Sequence, residues 1–111
     1  MNIYLKFLMS KHELEAEFII KYGLDARGLS LLAEIGYASC SKQNVTASEL
    51  MRMVKYGSPA TIHRSLINLK NIDLVSDFYE KGDRRKKYLA LSQTSESYFS
   101  QLARLFFVSQ N

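Results

Sequence analysis

The chain contains a single proline, and its position fixes a helix start. Pro59 lacks a backbone N–H and holds φ near the helical value, so it fits the first turn of a helix and breaks one further in. Ser58 before it is a strong N-cap, able to accept a free amide of the first turn. Gly57 permits a sharp change of direction just upstream. Residues 57–71, GSPATIHRSLINLKN, therefore predict a helix that begins at Pro59. At about 100° per residue, Ile62, Leu66 and Leu69 fall on one side as a narrow apolar stripe that needs a core. The other side carries Ala60, His63, Arg64, Ile67, Asn68 and Asn71. A solvated helix face usually carries charged groups of both signs, but this one has no acid. Its groups suit base edges in a DNA major groove, where Arg meets guanine, Asn meets adenine, and Ile or Ala meets a thymine methyl. Alone, the same face would suit an ordinary half-buried helix. The flanking segments decide between the two.

Upstream, Thr46-Ala47-Ser48-Glu49 is a capping box, and Leu50, Met51, Met53 and Val54 continue it as a short helix to about Lys55. Tyr56-Gly57-Ser58 is then the turn of a helix-turn-helix, whose second helix is placed to enter a groove. Downstream, the period falls to two. Residues 74–79 and 85–91 predict strands joined by a short, glycine-containing connection at 80–84, a β-hairpin. Alternation is clear in the second strand, Leu89 and Leu91 against Tyr88 and Ala90, and weak in the first. The tip carries Lys81, Arg84, Arg85, Lys86 and Lys87, with Asp83 as its one acid. Such charge protects a sheet edge from pairing. Beside a helix-turn-helix it also makes a wing that grips phosphate or places an arginine in the minor groove.

The ends of the chain are helical by pattern. Residues 3–22 bring Ile3, Phe7, Leu14, Phe18 and Ile19 to one stripe, widened by Tyr4, Leu8 and Tyr22, with Gly23 as C-cap. Asp25 caps a second helix, with Leu29, Leu32, Ala33 and Gly36 at helical spacing and Leu31 and Ile35 beside them, ending near Cys40. Ser92 opens a last helix, 93–108, striped by Tyr98, Phe99, Leu102, Leu105 and Phe106 and broadened by Phe107. Both terminal helices are rich in aromatics and must pack on the domain or on a second subunit, so they are the expected dimerisation elements.

Length suits one domain, 1–111. The net charge of +4 is uneven. Residues 1–41 hold four Lys/Arg against five Asp/Glu, whereas residues 42–111 hold eleven against six. The basic excess therefore travels with the proline-started helix, as in a module that meets a polyanion. No run is apolar enough to cross a membrane and no signal peptide is evident, so a cytoplasmic location is expected. Cys40 is the sole cysteine, expected as a small buried or half-buried thiol. His12 is expected to be structural. No glycine-rich phosphate loop, metal-ligand cluster or nucleophile–base pair occurs, so neither catalysis nor a cofactor is expected. Asp77, Glu80 and Asp83 read as solvated hairpin acids.

The order helix, helix-turn-helix, hairpin, helix is that of a winged helix-turn-helix. Residues 24–107 resemble the multiple-antibiotic-resistance regulator (MarR) family. Asp83-Arg84-Arg85 followed by Leu89, Leu91 and Ser92 is similar to that family's Asp-Arg-Arg wing, second strand and next helix start. Lys70-Asn71-Ile72-Asp73-Leu74-Val75 resembles its link from recognition helix to wing, with Asp73 where the family usually has glycine. The resemblance implies a dimeric transcription regulator, often a repressor, on a palindromic operator. A small-molecule effector, as many members have, would be unidentified here.

The resulting expectation is a mainly α fold with a small β-hairpin, in which a winged helix-turn-helix is flanked by terminal helices. Its function would be sequence-specific recognition of double-stranded DNA by a homodimeric regulator. Ser58, Ala60, Thr61, His63, Arg64, Ile67 and Asn68 would act from the helix, and Arg84, Arg85, Lys86 and Lys87 from the wing at 80–87. The alternative is a winged-helix replication, partition or protein-interaction module of a mobile element.

Overall fold

The computed structural model describes residues 2–109. In chain order these form α1 (Ile3–Tyr22), α2 (Ala26–Cys40), α3 (Ala47–Met51), a 3-10 turn (Val54–Tyr56), α4 (Pro59–Asn71), β1 (Val75–Tyr79), β2 (Lys87–Leu91) and α5 (Gln93–Ser109). The helix starts follow local chemistry. Asp25 accepts the Gly28 amide at 2.8 Å, Ser58 that of Thr61 at 3.2 Å and Ser92 that of Ser95 at 3.2 Å. Thr46 and Glu49 close the capping box with two bonds of 3.1 Å, which hold the Glu49 carboxyl below its ordinary range. Each such cap contributes about 1 kcal/mol.

Leu31, Leu32, Ile35, Leu50, Ile62, Leu66, Leu69, Leu74 and Leu89 are fully buried and form the centre of the core. Thus the three aliphatic residues of α4 point inward as their spacing requires. In α2 the buried arc is Gly28, Leu31, Leu32, Ile35 and Ala38, not the predicted stripe centred on Leu29, Leu32, Ala33 and Gly36. Ala33 is exposed and Leu29 half-buried. The reason is position: α2 packs against α4, the hairpin and the 3-10 turn together, so the arc it buries is set by three neighbours. Gly36 leaves room for β2, since a Cβ there would lie 3.0 Å from the Leu91 side chain.

The short helix predicted to run to Lys55 stops at Met51. Met53 has left the helical region, with φ −80° and ψ 80°, and a separate 3-10 turn follows. The break lets Met51 and Met53 both pack on the core while Val54 turns outward. At the far end of α4 the chain closes in a Schellman arrangement. The Leu74 amide bonds to the Leu69 carbonyl at 2.9 Å and that of Asp73 to Lys70 at 3.1 Å, while Leu69 and Leu74 are both buried. Asp73 holds φ 60°, the left-handed region that glycine takes without steric penalty. Asp73→Gly is therefore expected to stabilise the fold by roughly 0.5–1 kcal/mol, the steric relief exceeding the added chain entropy. A urea midpoint that stays put or falls would contradict this.

The hairpin is antiparallel, with Val75 opposite Leu91, Asp77 opposite Leu89 and Tyr79 opposite Lys87. Its strands are shorter than predicted: Leu74 belongs to the helix closure, and Arg85 and Lys86 to the loop. Leu89 also donates its amide to the Val45 carbonyl at 2.9 Å, and Thr46 bridges Tyr88. The segment entering α3 thus runs along β2 as a third, very short strand.

At the termini, the inner part of α1 packs on α5. Phe18 stacks on Tyr98 with ring centres 4.0 Å apart, flanked by Tyr22 and Phe99. Burial, with the Glu15 charge adding, pushes the Tyr98 phenol up to about 12. The outer part of the predicted stripe is not buried. Ile3, Tyr4, Leu5, Leu8 and Met9 on α1 are exposed, as are Phe106 and Phe107 on α5, and Phe7 meets Phe106 edge-on. His12 is exposed and so has no core role. Cys40 is likewise exposed, contrary to expectation, because it ends α2 beyond the last residue that α2 buries, Ala38.

Candidate nucleic-acid interface

The flank of α4 opposite the core is open. Ser58, Ala60, His63, Arg64, Ile67, Asn68 and Asn71 are all exposed, and Thr61 is half-buried. Ile67 is 44 % exposed, whereas its neighbour Leu66 is 1 % exposed. At the N-terminus Ser58 does double duty. Its hydroxyl accepts the Thr61 amide and donates to Thr61 Oγ1 at 2.9 Å. This leaves the other amides of the first turn facing outward, where a helix end favours an anion. No acid stands in that turn.

The C-terminal end of α4 is tied to the hairpin through Asp77. Lys70 Nζ lies 2.9 Å from one carboxylate oxygen and Lys87 Nζ 3.8 Å from the other. Asp77, a solvated hairpin acid as expected, is also an ion-paired bridge between α4 and the hairpin. Its place explains the weak alternation of β1, because it stands opposite buried Leu89 and is neutralised there by lysines from two elements. Lys87 is thus partly occupied within the molecule, while Lys86 stays exposed.

At the wing tip Asp83 is also engaged. Its carboxylate takes the Arg85 amide at 2.9 Å and the guanidinium at 3.1 and 3.2 Å, a bidentate fork. The Arg85 fork and amide hold the Asp83 carboxyl below its usual range, and the pairing raises Arg85. The guanidinium is nonetheless fully presented, because the Arg85 side chain is 89 % exposed. Arg84 lies over the Tyr79 ring, 5.9 Å from its centre. The turn that carries them is closed by an Asp83 amide bond to the Glu80 carbonyl, with Gly82 at φ 81°. Two planar cations are thereby aimed by partners on the wing itself, a geometry suited to phosphate or a narrow minor groove.

The chain's architecture matches solved structures closely enough to be placed. It superposes on the MepR–DNA complex from S. aureus with a TM-score of 0.62, at 17% identity, covering 97% of this chain and 86% of that one. Against apo MarR from E. coli the TM-score is 0.60, at 19% identity over 90% and 70% of the two chains. The fold is that of the MarR regulators. Adhesin competence repressor (AdcR) from Streptococcus pyogenes gives 0.56 at 20% identity, covering 91% of this chain and 69% of that one. No protein-family model matches the sequence, and no curated protein does. On the MarR fold, α2 to α5 with the hairpin is the winged helix-turn-helix, with α1 packed on α5.

Contacts that pattern did not reveal, among Arg27, Glu34, Lys55 and Tyr56, join α2 to the turn before α4. Arg27 Nε donates to the Tyr56 carbonyl at 2.7 Å, and the Tyr56 hydroxyl donates to Glu34 Oε1 at 2.8 Å. Lys55 Nζ approaches the same Glu34 oxygen at 3.5 Å. The one sequence signal was spacing. Arg27 and Glu34 stand seven apart, two turns on one face of α2.

Proposed function

We propose that this protein is a homodimeric, sequence-specific regulator of transcription that binds double-stranded DNA and acts as a repressor. The observation that carries the reading is the acid-free, exposed flank of a proline-started helix beside a wing whose arginines are oriented by their own partners. In this reading α4 enters the major groove, Arg64, Asn68 and His63 meet bases or nearby phosphate, and Ala60 and Ile67 meet thymine methyls. Ser58, Thr61 and the α4 N-terminus position the helix on phosphate. Arg84, Arg85, Lys86 and Lys87 act from the wing. MepR, of like fold, was solved as a DNA complex, and AdcR is named a repressor, which supports the assignment.

A second copy is the expected cover for the apolar outer ends of α1 and α5, since an isologous contact of terminal helices closes on itself. Two α4 helices would then address major grooves about 34 Å apart on a pseudo-palindrome. Selection of bound duplexes from a random pool tests the whole reading. A two-fold consensus is expected, and a pool that never enriches would end it. On the enriched duplex, Arg64→Ala is expected to cost about 1–3 kcal/mol and relax preference at one base pair, whereas Lys86→Ala weakens all sequences alike. Equal losses on every duplex for both variants would remove Arg64 from base recognition.

A further inference from the structure

Base readout demands that a helix be held within roughly 0.5 Å of its productive pose, so whatever fixes the α4 N-terminus controls discrimination. That end is reached through Tyr56, Gly57 and Ser58. Gly57 takes φ 131° with ψ −172°, and its amide caps the 3-10 turn on Val54. Tyr56, in contrast, is held at two points. Its carbonyl takes Arg27 Nε and its hydroxyl grips Glu34. Main chain and ring are thus both fastened to one face of α2, the helix whose leucines form the centre of the core.

The fastening is screened from water. The Glu34 side chain is only 17 % exposed, and Arg27 and Tyr56 are half-buried. Burial and the hydrogen bond to Glu34 hold the Tyr56 phenol above its ordinary range, and its hydroxyl donates to Glu34 Oε1 at 2.8 Å. The guanidinium also packs on the turn, since a Cβ at Gly57 would sit 3.4 Å from Arg27 Nε. None of the three belongs to the exposed flank of α4.

We propose that Arg27, Glu34 and Tyr56 form a clamp that sets the pose of α4, and are thereby positioning residues for base discrimination. The inference rests on the DNA-binding reading above. Its test compares two affinities, one for the duplex enriched by the wild type and one for a random duplex of equal length. Tyr56→Phe and Glu34→Ala are each expected to lower that ratio about five- to tenfold, with no further loss in the double variant. Glu34→Gln, which keeps an acceptor oxygen, restores part of it. The salt slope should not move, because no phosphate contact is removed. A loss of fold alone would reduce active protein and leave the ratio untouched.

An unchanged ratio, or a double-variant loss equal to the product of the single losses, overturns the clamp. Tyr56→Phe, which removes one oxygen, and Arg27→Lys carry the test should Glu34→Ala not fold. The two readings fail separately. Absence of salt-sensitive duplex binding by the wild type ends the DNA assignment, and with it the role in discrimination. The brace itself is read by hydrogen exchange. Faster exchange at the Gly57 and Thr61 amides in Tyr56→Phe, with Leu69 unchanged, supports it, and unaltered exchange at all three overturns it.

Discussion

Replacing Leu66 by alanine is expected to remove about 2–5 kcal/mol of stability. Leu66 is 1 % exposed and lies at the middle of the only apolar stripe that joins α4 to the core. Truncation forfeits the transfer free energy of its side chain and leaves a cavity among Ile62, Leu69 and the leucines of α2, which are held on three sides and can collapse only partly. For a domain of this size, total stability is on the order of 5–15 kcal/mol, so the variant should be substantially weakened at physiological temperature. The adjacent Ile67→Ala is the control. Exposed on the opposite flank, it should change stability by less than about 0.5 kcal/mol and act on DNA affinity instead. Urea unfolding of the two variants decides the matter. Equal losses would mean that α4 is rotated from the pose described, with its exposed flank packed inside.

That contrast shows what the amino-acid sequence could and could not reveal. The start of helix α4 was legible to the residue because Ser58 and Pro59 mark it, and its inner face because of a three-residue stripe, while its end lies at Asn71, one residue past the expected 59–70. The hairpin was legible because the period falls to two on either side of a glycine-containing connection. Legibility failed where long-range packing set the outcome. The inner face of α2 is fixed by three neighbours, so its periodicity alone pointed about one residue away from Leu31 and Ile35. Asp77 stands opposite buried Leu89 on β1 and is paired there by Lys70 and Lys87, which arrive from elsewhere in the chain. The Arg27 bond was invisible because its acceptor is a backbone carbonyl 29 residues away, which no side-chain pattern encodes. Asp73 is the opposite case. A glycine-favouring position was visible by resemblance, and the left-handed φ at that residue supplies its physical reason.

If the chain binds its selected duplex as the proposed dimer, that binding is expected to collapse with salt. If roughly 6–10 phosphates are neutralised, log K against log salt should slope about −5 to −9, a loss of about 10³–10⁵ between 50 and 200 mM. Lys86→Ala removes one contact from each protomer and should flatten the slope by about two, whereas Asn68→Ala should leave the slope alone and relax one base preference. The wing allows a sharper test, because charge and aim make opposite predictions at Asp83. Asp83→Ala removes an acid from the surface proposed to meet DNA. Were net charge all that mattered, every duplex would be bound more tightly. Asp83, however, is the partner that orients the Arg85 fork, so its loss should let that guanidinium swing free. Random duplex is then bound as well or better while the selected duplex is bound more weakly, and discrimination falls from both sides. Tighter binding to both duplexes by the same factor would reduce the wing to a patch of positive charge, with no orientation to lose.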